Sequence, residues 1–400
     1  MQISIQTSLW DGQESSLAQS VDAARSELGG QPDFVAAFAT PHRCHDLARH
    51  LSEQFGSTAV HGSTTCRGLL SQDGHRKGAN GSFGLLALRD PAGSYGTSCG
   101  SFESDAAAAA TVALHRALES AGRPGELPDL VWLASSPGNE EEVLSALQTE
   151  LGPSVTILGG SAADDDITGQ WCVFDHLGEC HQTGVVVSVL FPSTSIATAF
   201  HSGYEPTGTE WKVTRAAGRE LYELDGQPAC EAYDLATDGL ASKALASSGD
   251  SLLQLSTLSP LGRVDSRIGS IPMYILSHPA HANPDGSISL FSEVQQGESL
   301  TLMTASQDEL LQRPRHVFQS ALDEAGWQPE EIAGAFLIYC AGCMLAVEDS
   351  IESVAASLQS LMPNIPFLGT FTFGEQGQFL GGKSRHGNLM ISCVLFRKST

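Results

Sequence analysis

The chain has 400 residues, of which 41% are hydrophobic and 17% charged, a balance typical of a globular protein with two or three domains. Its formal net charge of −25 excludes nucleic acid and anionic membrane surfaces as partners, because both repel an acidic protein. No apolar run reaches the roughly 18 residues of a membrane-spanning helix, and the N-terminus lacks the basic start of a signal peptide. The nine cysteines are odd in number and scattered, which indicates reduced thiols and a cytoplasmic location.

The first part of the chain alternates strand and helix patterns. Apolar spacing, glycine stops and alternation predict strands at 2–9, 34–39, 58–66, 68–73 and 82–88, and helices at 14–28 and 42–55. A second stretch repeats this order. It predicts helices at 105–121 and 140–151, with strands at 130–134, 155–158, 171–174 and 185–191.

The C-terminal part shows the order a third time, with helices at 307–325 and 347–361 and strands at 335–340, 365–368 and 388–396. In all three stretches an apolar run breaks at a glycine followed by serine or threonine: Gly62-Ser63, Gly160-Ser161 and Gly369-Thr370. A shared order with a shared breakpoint predicts an internal repeat.

The middle of the chain is less regular. It predicts a strand pair at 202–225, a helix at 228–247 and three strands within 271–304, which we interpret as a degenerate fourth unit. The predicted fold is α/β, with two domains of mixed β-sheets layered with helices and built from repeated helix-strand-helix-strands units. Residues 1–224 would hold two units, and residues 225–400 one degenerate and one clear unit.

Seven segments, in the same order, resemble landmarks of the FIST family, sensory proteins with paired FIST-N and FIST-C domains. They are residues 62–66, 159–165, 213–229, 278–279, 339–342, 369–375 and 386–388. The resemblance covers nearly the whole chain. Arg67, Cys343 and Leu389 depart from the family's usual residues around the presumed pocket, so the resemblance leaves the ligand open.

The resemblance implies a small-molecule sensor, with amino acids as proposed ligands and a separate signalling partner such as a histidine kinase. Backbone N–H groups at the glycines and nearby hydroxyls suit a carboxylate, and Glu375 or Asp164 could receive an ammonium group. We therefore expect a ligand site made by Gly62, Ser63, Thr64, Thr65, Cys66, Gly160, Ser161, Asp164, Asp165, Cys340, Cys343, Thr370, Thr372, Glu375, His386 and Asn388. The alternative is that these glycines and hydroxyls only make tight turns.

Two other functions stay open. One branch of the family, the NosP-type nitric-oxide sensors, binds haem through a histidine, and His61 or His201 would be the axial ligand here. Cys340 and Cys343 form a C-x-x-C at the end of a strand before a helix, a placement that lowers a thiol pKa in redox dithiols and could supply half a zinc site. Hydrolase, P-loop and dinucleotide-binding motifs are absent from the sequence, so it favours a protein that is not an enzyme.

Overall fold

The fold repeats one structural unit three times. The computed structural model describes residues 3–10, 14–102, 105–246 and 252–399, and the side chains of residues 14–16 are not described. Each unit runs strand, helix, strand, helix, strand, short hairpin and strand. Unit 1 comprises β1 (Ser4–Trp10), α1 (Glu14–Leu28), β2 (Phe34–Ala39), α2 (Cys44–Phe55), β3 (Ala59–Thr64), β4 (Leu69–Ser71), β5 (Gly74–Arg76) and β6 (Phe83–Arg89).

Units 2 and 3 follow the same order. Unit 2 comprises β7 (Ser94–Ser101), α3 (Ala106–Ser120), β8 (Leu130–Ser135), α4 (Glu140–Leu151), β9 (Thr156–Ser161), β10 (Val173–Phe174), β11 (Cys180–His181) and β12 (Gly184–Phe191). Unit 3 begins with β13 (Ile196–Ser202). An inserted segment follows, with β14 (Glu205–Ala217), β15 (Glu220–Leu224), β16 (Gln227–Pro228), α5 (Ala229–Ala236), α6 (Leu240–Ala246), α7 (Leu252–Ser256), β17 (Leu261–Ile268), β18 (Ile271–Ser277), β19 (Pro279–Ala282), β20 (Ile288–Leu290) and β21 (Ser299–Thr304). Unit 3 then continues with α8 (Gln307–Ala325), β22 (Ile332–Cys340), α9 (Ala341–Ala346), α10 (Glu352–Leu361), β23 (Phe367–Thr372), β24 (Glu375–Gln378), β25 (Ser384–Gly387) and β26 (Met390–Arg397).

The three units exchange their hairpins in a cycle. The first sheet has the order β1-β6-β2-β3-β10-β11, so it takes its last two strands from unit 2. The second sheet ends with β24 and β25 of unit 3, and the third ends with β4 and β5 of unit 1. In each sheet one pair, namely β2-β3, β8-β9 or β22-β23, is parallel and the other described pairs are antiparallel. The predicted mixed sheets are therefore confirmed.

Packing between the three sheets makes a common centre. Their inner faces bring together the rings of Phe34, Trp132 and Phe336, with centroids 4.8 Å apart for Trp132 and Phe336 and 6.5 Å apart for Phe34 and Phe336. The outer faces are covered by α1 and α2, by α3 and α4, and by α8 and α10, respectively. Because both faces of the central strands are buried, strands such as β2 are continuous apolar runs.

The inserted segment differs from the predicted fourth unit. Its strands make one sheet, in the order β18-β17-β21-β14-β15-β20-β19 with β16 beside β15, and all of its described pairs are antiparallel. It lies between the first strand and the first helix of unit 3. The number of repeated units is therefore three. Of the predicted ends, Gln2 and Ser247 lie outside the described residues.

The predicted division into residues 1–224 and 225–400 stays a prediction. The boundary falls at the end of β15, within the inserted sheet. Strands from both sides of it share three sheets, since β24 pairs with β9, β4 pairs with β23, and β14 pairs with β21 in the inserted sheet. The two parts of the chain therefore pack together through main-chain hydrogen bonds.

The glycines at the predicted breakpoints lie inside strands and do not end them. Gly62, Gly160 and Gly369 are in β3, β9 and β23, opposite Phe174, Glu375 and Leu70 of the exchanged hairpins. A Cβ atom at Gly62 would overlap the Phe174 ring, and one at Gly160 would overlap the Thr372 side chain. Each repeated glycine therefore lies where a hairpin from another unit approaches the sheet closely.

Candidate functional site

A cavity of about 520 Å³ lies where units 1 and 3 and a loop of unit 2 meet the inserted segment. Its walls come from the turn after β3, the loop after β9, the C-terminal ends of β22 and β23, α7 and the β18–β20 region. The apolar side chains among its lining residues are Ile167, Leu253, Phe291, Leu345 and Phe373, with Ala341 and Ala346. The polar ones are Arg67, Asp165, Asp166, Gln254, Thr257, His278, Glu348, Thr372 and Asn388, and two thiols, Cys66 and Cys340, complete the set with Gly342.

The structure brings five of the sixteen predicted site residues to this cavity, namely Cys66, Asp165, Cys340, Thr372 and Asn388. They come from all three units, with Cys66 from unit 1, Asp165 from unit 2 and the other three from unit 3. The pairing of β4 with β23 brings units 1 and 3 together here, and the hydrogen bond from the Arg67 N–H to Asp165 links the loop of unit 2 to them. The other eleven lie elsewhere among the described residues. The cavity volume is within the roughly 300–1,000 Å³ typical of small-molecule sites.

Asn388 lines the cavity and carries a buried hydrogen-bond donor without a partner among the described residues. The backbone N–H of His278 donates to Asn388 Oδ1 over 3.2 Å, and this contact fixes the orientation of the amide, since a donor requires the oxygen. The side-chain Nδ2 then has no partner among the described residues, although Asn388 is only 2% exposed. A buried amide nitrogen without an acceptor costs free energy, which a ligand oxygen would recover.

Arg67 brings a positive charge to the cavity rim. Its backbone N–H donates to Asp165 Oδ1 over 2.6 Å, and its guanidinium Nη1 lies 3.1 Å from Glu348 Oε2. The residue has a φ of 52°, so the turn after β3 points this side chain across to unit 3 in a left-handed conformation that costs free energy for a non-glycine residue. Lys77 also pairs with Glu348. The rim therefore carries opposite charges side by side.

Glu375 lies behind the cavity wall, where it does not line the cavity. Thr372 Oγ1 donates to its Oε1 over 2.7 Å, and the N–H of Met390 donates to its Oε2 over 2.9 Å. Complete burial, and secondarily the nearby Cys340, raise the pKa of this carboxyl well above its ordinary value. A protonated, enclosed carboxyl is a poor partner for an ammonium group. The predicted contact from Glu375 to an ammonium group is thus wrong, and its role is to orient Thr372.

The two thiols of the C-x-x-C motif are buried, and Cys340 is not the activated thiolate that the redox alternative requires. Burial, and then the neighbouring Cys343, raise the pKa of Cys340 well above the ordinary value, even though Cys340 precedes α9. Cys343 contacts the hydroxyl of Tyr204 at 3.6 Å, away from the cavity surface. Desolvation therefore outweighs the dipole of the short helix α9.

Four predicted residues of the first two motifs have structural roles. The Asp164 carboxylate accepts hydrogen bonds from the backbone N–H groups of Ile167, Thr168 and Gln170, so it shapes the loop and is not available to an ammonium group. Thr65 accepts from the N–H of Phe371 over 2.9 Å, and Thr64 accepts from the N–H of Cys172 over 3.0 Å. Ser63 is buried opposite Val173.

The remaining predicted polar residues belong to a buried network behind unit 2. Ser161 Oγ donates to Glu140 over 2.8 Å, and Arg219 of the inserted segment contacts both Glu140 and Glu141 over 2.6 Å. Gln376 bridges Ser161 and His386. Because the arginine already neutralises these carboxylates, the network holds unit 2, the β24–β25 hairpin and the insertion together. The Thr370 hydroxyl is buried and has no partner among the described residues.

Neither histidine proposed as a haem ligand fits that role. His61 is completely buried, its Nδ1 lies 2.8 Å from Ser188 Oγ, and burial lowers its pKa to about 3. His201 borders a cavity of only about 150 Å³, below the size of small-molecule sites. Burial and then Arg313 lower the pKa of His201 to about 4.

The cavity also contains residues that the sequence did not indicate as a site. Thr257 and Phe291 come from the inserted segment. So does His278, which the sequence indicates only as a family landmark, and its Nε2 donates to the carbonyl of Leu253 over 2.9 Å. Burial lowers the pKa of His278 to about 4, so it is neutral. The only sequence signal for these residues was the landmark His278-Pro279, because Thr257 lies in a turn after α7 and Phe291 in a bend after β20, where no periodic pattern exists.

Two family models match the chain. The FIST N domain model matches residues 33–227, and the FIST C domain model matches residues 232–378. No helix among the described residues combines the length and apolar character needed to cross a membrane.

The individual relatives and solved structures share low sequence identity with this chain or match only part of it. An uncharacterized protein of Methanocaldococcus jannaschii is 37% identical over 97 residues, which are 24% of this chain and 18% of that protein. An uncharacterized Mycobacterium bovis protein is 26% identical over 250 residues, 61% of each chain, so the match spans less than two thirds of either relative. The crystal structure of a cyanuric acid hydrolase from A. caulinodans aligns over 99% of both chains with a TM-score of 0.39 and 8% identity.

Proposed function

Since the chain belongs to the FIST family, a family of sensory signal-transduction domains, we propose that its cavity binds an amino-acid-like molecule. The observation that carries this proposal is the unpartnered Nδ2 of Asn388 at a cavity of ligand size. An amide N–H is a suitable donor to a carboxylate oxygen. Thr372, held by Glu375, lies in the same wall.

The charges at the rim favour a zwitterion over a simple acid. Asp165 and Asp166 line the cavity beside Arg67, so an ammonium group has carboxylates available at the rim while the ligand's carboxylate reaches Asn388. The wall also carries several apolar side chains, with Phe291 and Phe373 among them. We therefore expect an amino acid with an apolar side chain of moderate size.

The protonated state of Glu375 supports this orientation. A carboxylate directly behind the wall would repel the carboxylate of the ligand. Because burial raises the pKa of Glu375 well above its ordinary value, its neutral form is favoured, and this reduces the repulsion.

A thermal-shift panel of the twenty common amino acids tests the proposal. Bound ligand at a hundredfold excess over its Kd stabilises the native state by about 2.7 kcal/mol, which raises the Tm by a few °C. The carboxamide of the most effective amino acid is the matched control, since it lacks the carboxylate. It should stabilise the protein much less. A panel in which no amino acid raises the Tm would contradict the proposal.

The signal would pass to a separate partner such as a histidine kinase. The family's sensory role supports this step. The test is the autophosphorylation rate of a histidine kinase encoded beside this protein, measured with the protein alone and with the protein plus the effective amino acid. A rate that is unchanged by the amino acid in the presence of the protein would contradict a kinase partner without affecting the binding proposal.

A further inference from the structure

Three cysteines come together far from the cavity, at the junction of units 1 and 2. Cys44 begins α2, Cys172 immediately precedes β10, and Cys180 lies in β11. Their sulfur atoms all lie within 4.8 Å of one another, and the sulfurs of Cys44 and Cys180 are 3.7 Å apart. Cys44 and Cys172 are joined as a disulfide in this structure, so two of the nine cysteines differ from the reduced state predicted from the sequence.

The exchanged hairpin explains why these cysteines meet. Cys180 pairs with Phe174, so Cys172, two residues earlier, is its diagonal neighbour on the same face of the hairpin. Helix α2 covers that face. The hairpin turn approaches it closely at Gly178, where an added Cβ would lie 3.2 Å from the Ala48 carbonyl. Cys44 therefore reaches the two hairpin sulfurs from the start of the covering helix.

The three positions are also fixed independently of any bond between the sulfurs. The backbone of Cys172 is held on both sides by Thr64, with its N–H donating to Thr64 Oγ1 and its carbonyl accepting the N–H of Thr64, each over 3.0 Å. Cys44 and Cys172 are buried and Cys180 is half-buried, so the cluster has one accessible side. Reduction would leave three thiols facing one point.

We propose that the reduced protein binds one Zn²⁺ ion through Cys44, Cys172 and Cys180, with water as the fourth ligand. Tetrahedral zinc with Zn–S bonds of about 2.3 Å places its sulfurs about 3.8 Å apart, close to the separation of Cys44 and Cys180. Three thiolates also match the preference of soft cations for sulfur. Three S–H bonds break, three Zn–S bonds form, and three protons leave to the solvent.

Zinc binding and the disulfide exclude each other, because the disulfide consumes two of the three ligands. Both states tie the helix of unit 1 to the hairpin of unit 2. A free thiol has an ordinary pKa of about 8.5 and must lose its proton to bind the metal, so the protons released near pH 7 measure the number of thiol ligands.

The test is a titration of the full chain with Zn²⁺ and with Cd²⁺, in the presence of an excess of a non-thiol reductant. We expect one equivalent to bind, a thiolate-to-cadmium charge-transfer band to appear, and close to three protons to be released per ion in calorimetry with two buffers. Cys180→Ser should weaken binding at least a hundredfold. Cys99→Ser is the matched control, since Cys99 is also half-buried and near Cys180 but outside the cluster, and it should bind as wild type does.

Alkylation followed by mass spectrometry tests the same site in the wild-type protein, without relying on a variant. The bound ion should protect Cys180, the half-buried member of the cluster, from alkylation, and should leave the half-buried Cys99 as reactive as before. Wild-type protein that binds no ion when reduced would overturn the proposal. So would equal affinities of wild type and Cys180→Ser, or alkylation of Cys180 at the same rate with and without the ion.

Discussion

A substitution at the buried Glu375 can remove its ability to ionise while keeping its hydrogen bonds. In Glu375→Gln the amide oxygen can still accept from the N–H of Met390, and the hydroxyl of Thr372 can turn to accept from the amide N–H. The substitution therefore keeps both contacts and removes only the ability to ionise. At pH 5 we expect its free energy of unfolding to lie within about 1 kcal/mol of wild type.

The difference in free energy of unfolding between Glu375→Gln and wild type should grow as pH rises. The pKa of Glu375 is raised in the folded protein, so the wild-type native state holds a proton that the unfolded chain releases above its ordinary pKa near 4.3. The contribution of Glu375 to stability is complete below that pKa and is lost as pH rises toward the folded pKa. The loss is about 1.36 kcal/mol per pH unit, so Glu375→Gln should gain up to about 2.7 kcal/mol on wild type between pH 5 and 7.

Urea denaturation of both proteins at pH 5, 6, 7 and 8 measures this difference. Glu331→Gln is the control, because the backbone N–H of Gln328 and then Arg397 lower the pKa of that surface carboxylate. Its stabilising effect is complete above the ordinary pKa near 4.3 and is lost only below it, so the difference between Glu331→Gln and wild type should stay nearly constant from about pH 5 to 8. Glu375→Ala removes both acceptors and should cost several kcal/mol, about 1–3 for each group left unpaired. A Glu375→Gln difference that stays constant or shrinks as pH rises would refute the reasoning.

Three further predictions concern other parts of the molecule. Asn388→Asp keeps the acceptor for the N–H of His278 but replaces the free donor by a carboxylate, so affinity for the most effective amino acid should fall at least about tenfold in calorimetry. Thr370→Val, which alters a hydroxyl away from the cavity, should leave that affinity unchanged, and equal losses in both variants would contradict the assignment. Gly62→Ala should lower the free energy of unfolding by about 1–3 kcal/mol or more in urea, because its Cβ overlaps the Phe174 ring, whereas a neutral effect would contradict the close approach of the hairpin. Protein produced with haem supply should show no Soret band, since His61 is enclosed in the core, and a band that shifts with nitric oxide would contradict this.

The sequence was sufficient for most of the individual elements. Helices α1 and α8 run over the predicted residues 14–28 and 307–325, because their apolar spacing is regular and their ends carry strong signals. For α8 these signals are a capping box between Ser306 and Glu309 and a left-handed Gly326. Such local features need no knowledge of the rest of the chain.

The arrangement of the three units could not be predicted from local sequence features. The exchange of hairpins joins residues about 300 positions apart, such as Leu70 and Gly369, and short strands like β10 carry too few residues for a pattern. The shared glycines did indicate a repeated structural feature, but that feature is the packing of a hairpin from another unit against the sheet. The insertion was mistaken for a fourth unit because its strands have turn signals similar to those of the repeats.

The site illustrates the same limit. Spacing placed Asp164, Ser161 and Glu375 near the motifs that reach the cavity, but burial and backbone contacts decide which of them a ligand can touch. Asn388 and Thr372 face the cavity, whereas Glu375 supports Thr372 from behind. Five of the nineteen lining residues come from the inserted segment, where residues such as Thr257 have no motif of their own.

A crystal structure of the protein grown with the most effective amino acid tests the central proposal most directly. We expect the amino acid in the 520 Å³ cavity, with its carboxylate within hydrogen-bond distance of Asn388 Nδ2 and its side chain among Phe291 and Phe373. An amino acid bound elsewhere, or a cavity that stays without it at saturating concentration, would contradict the account.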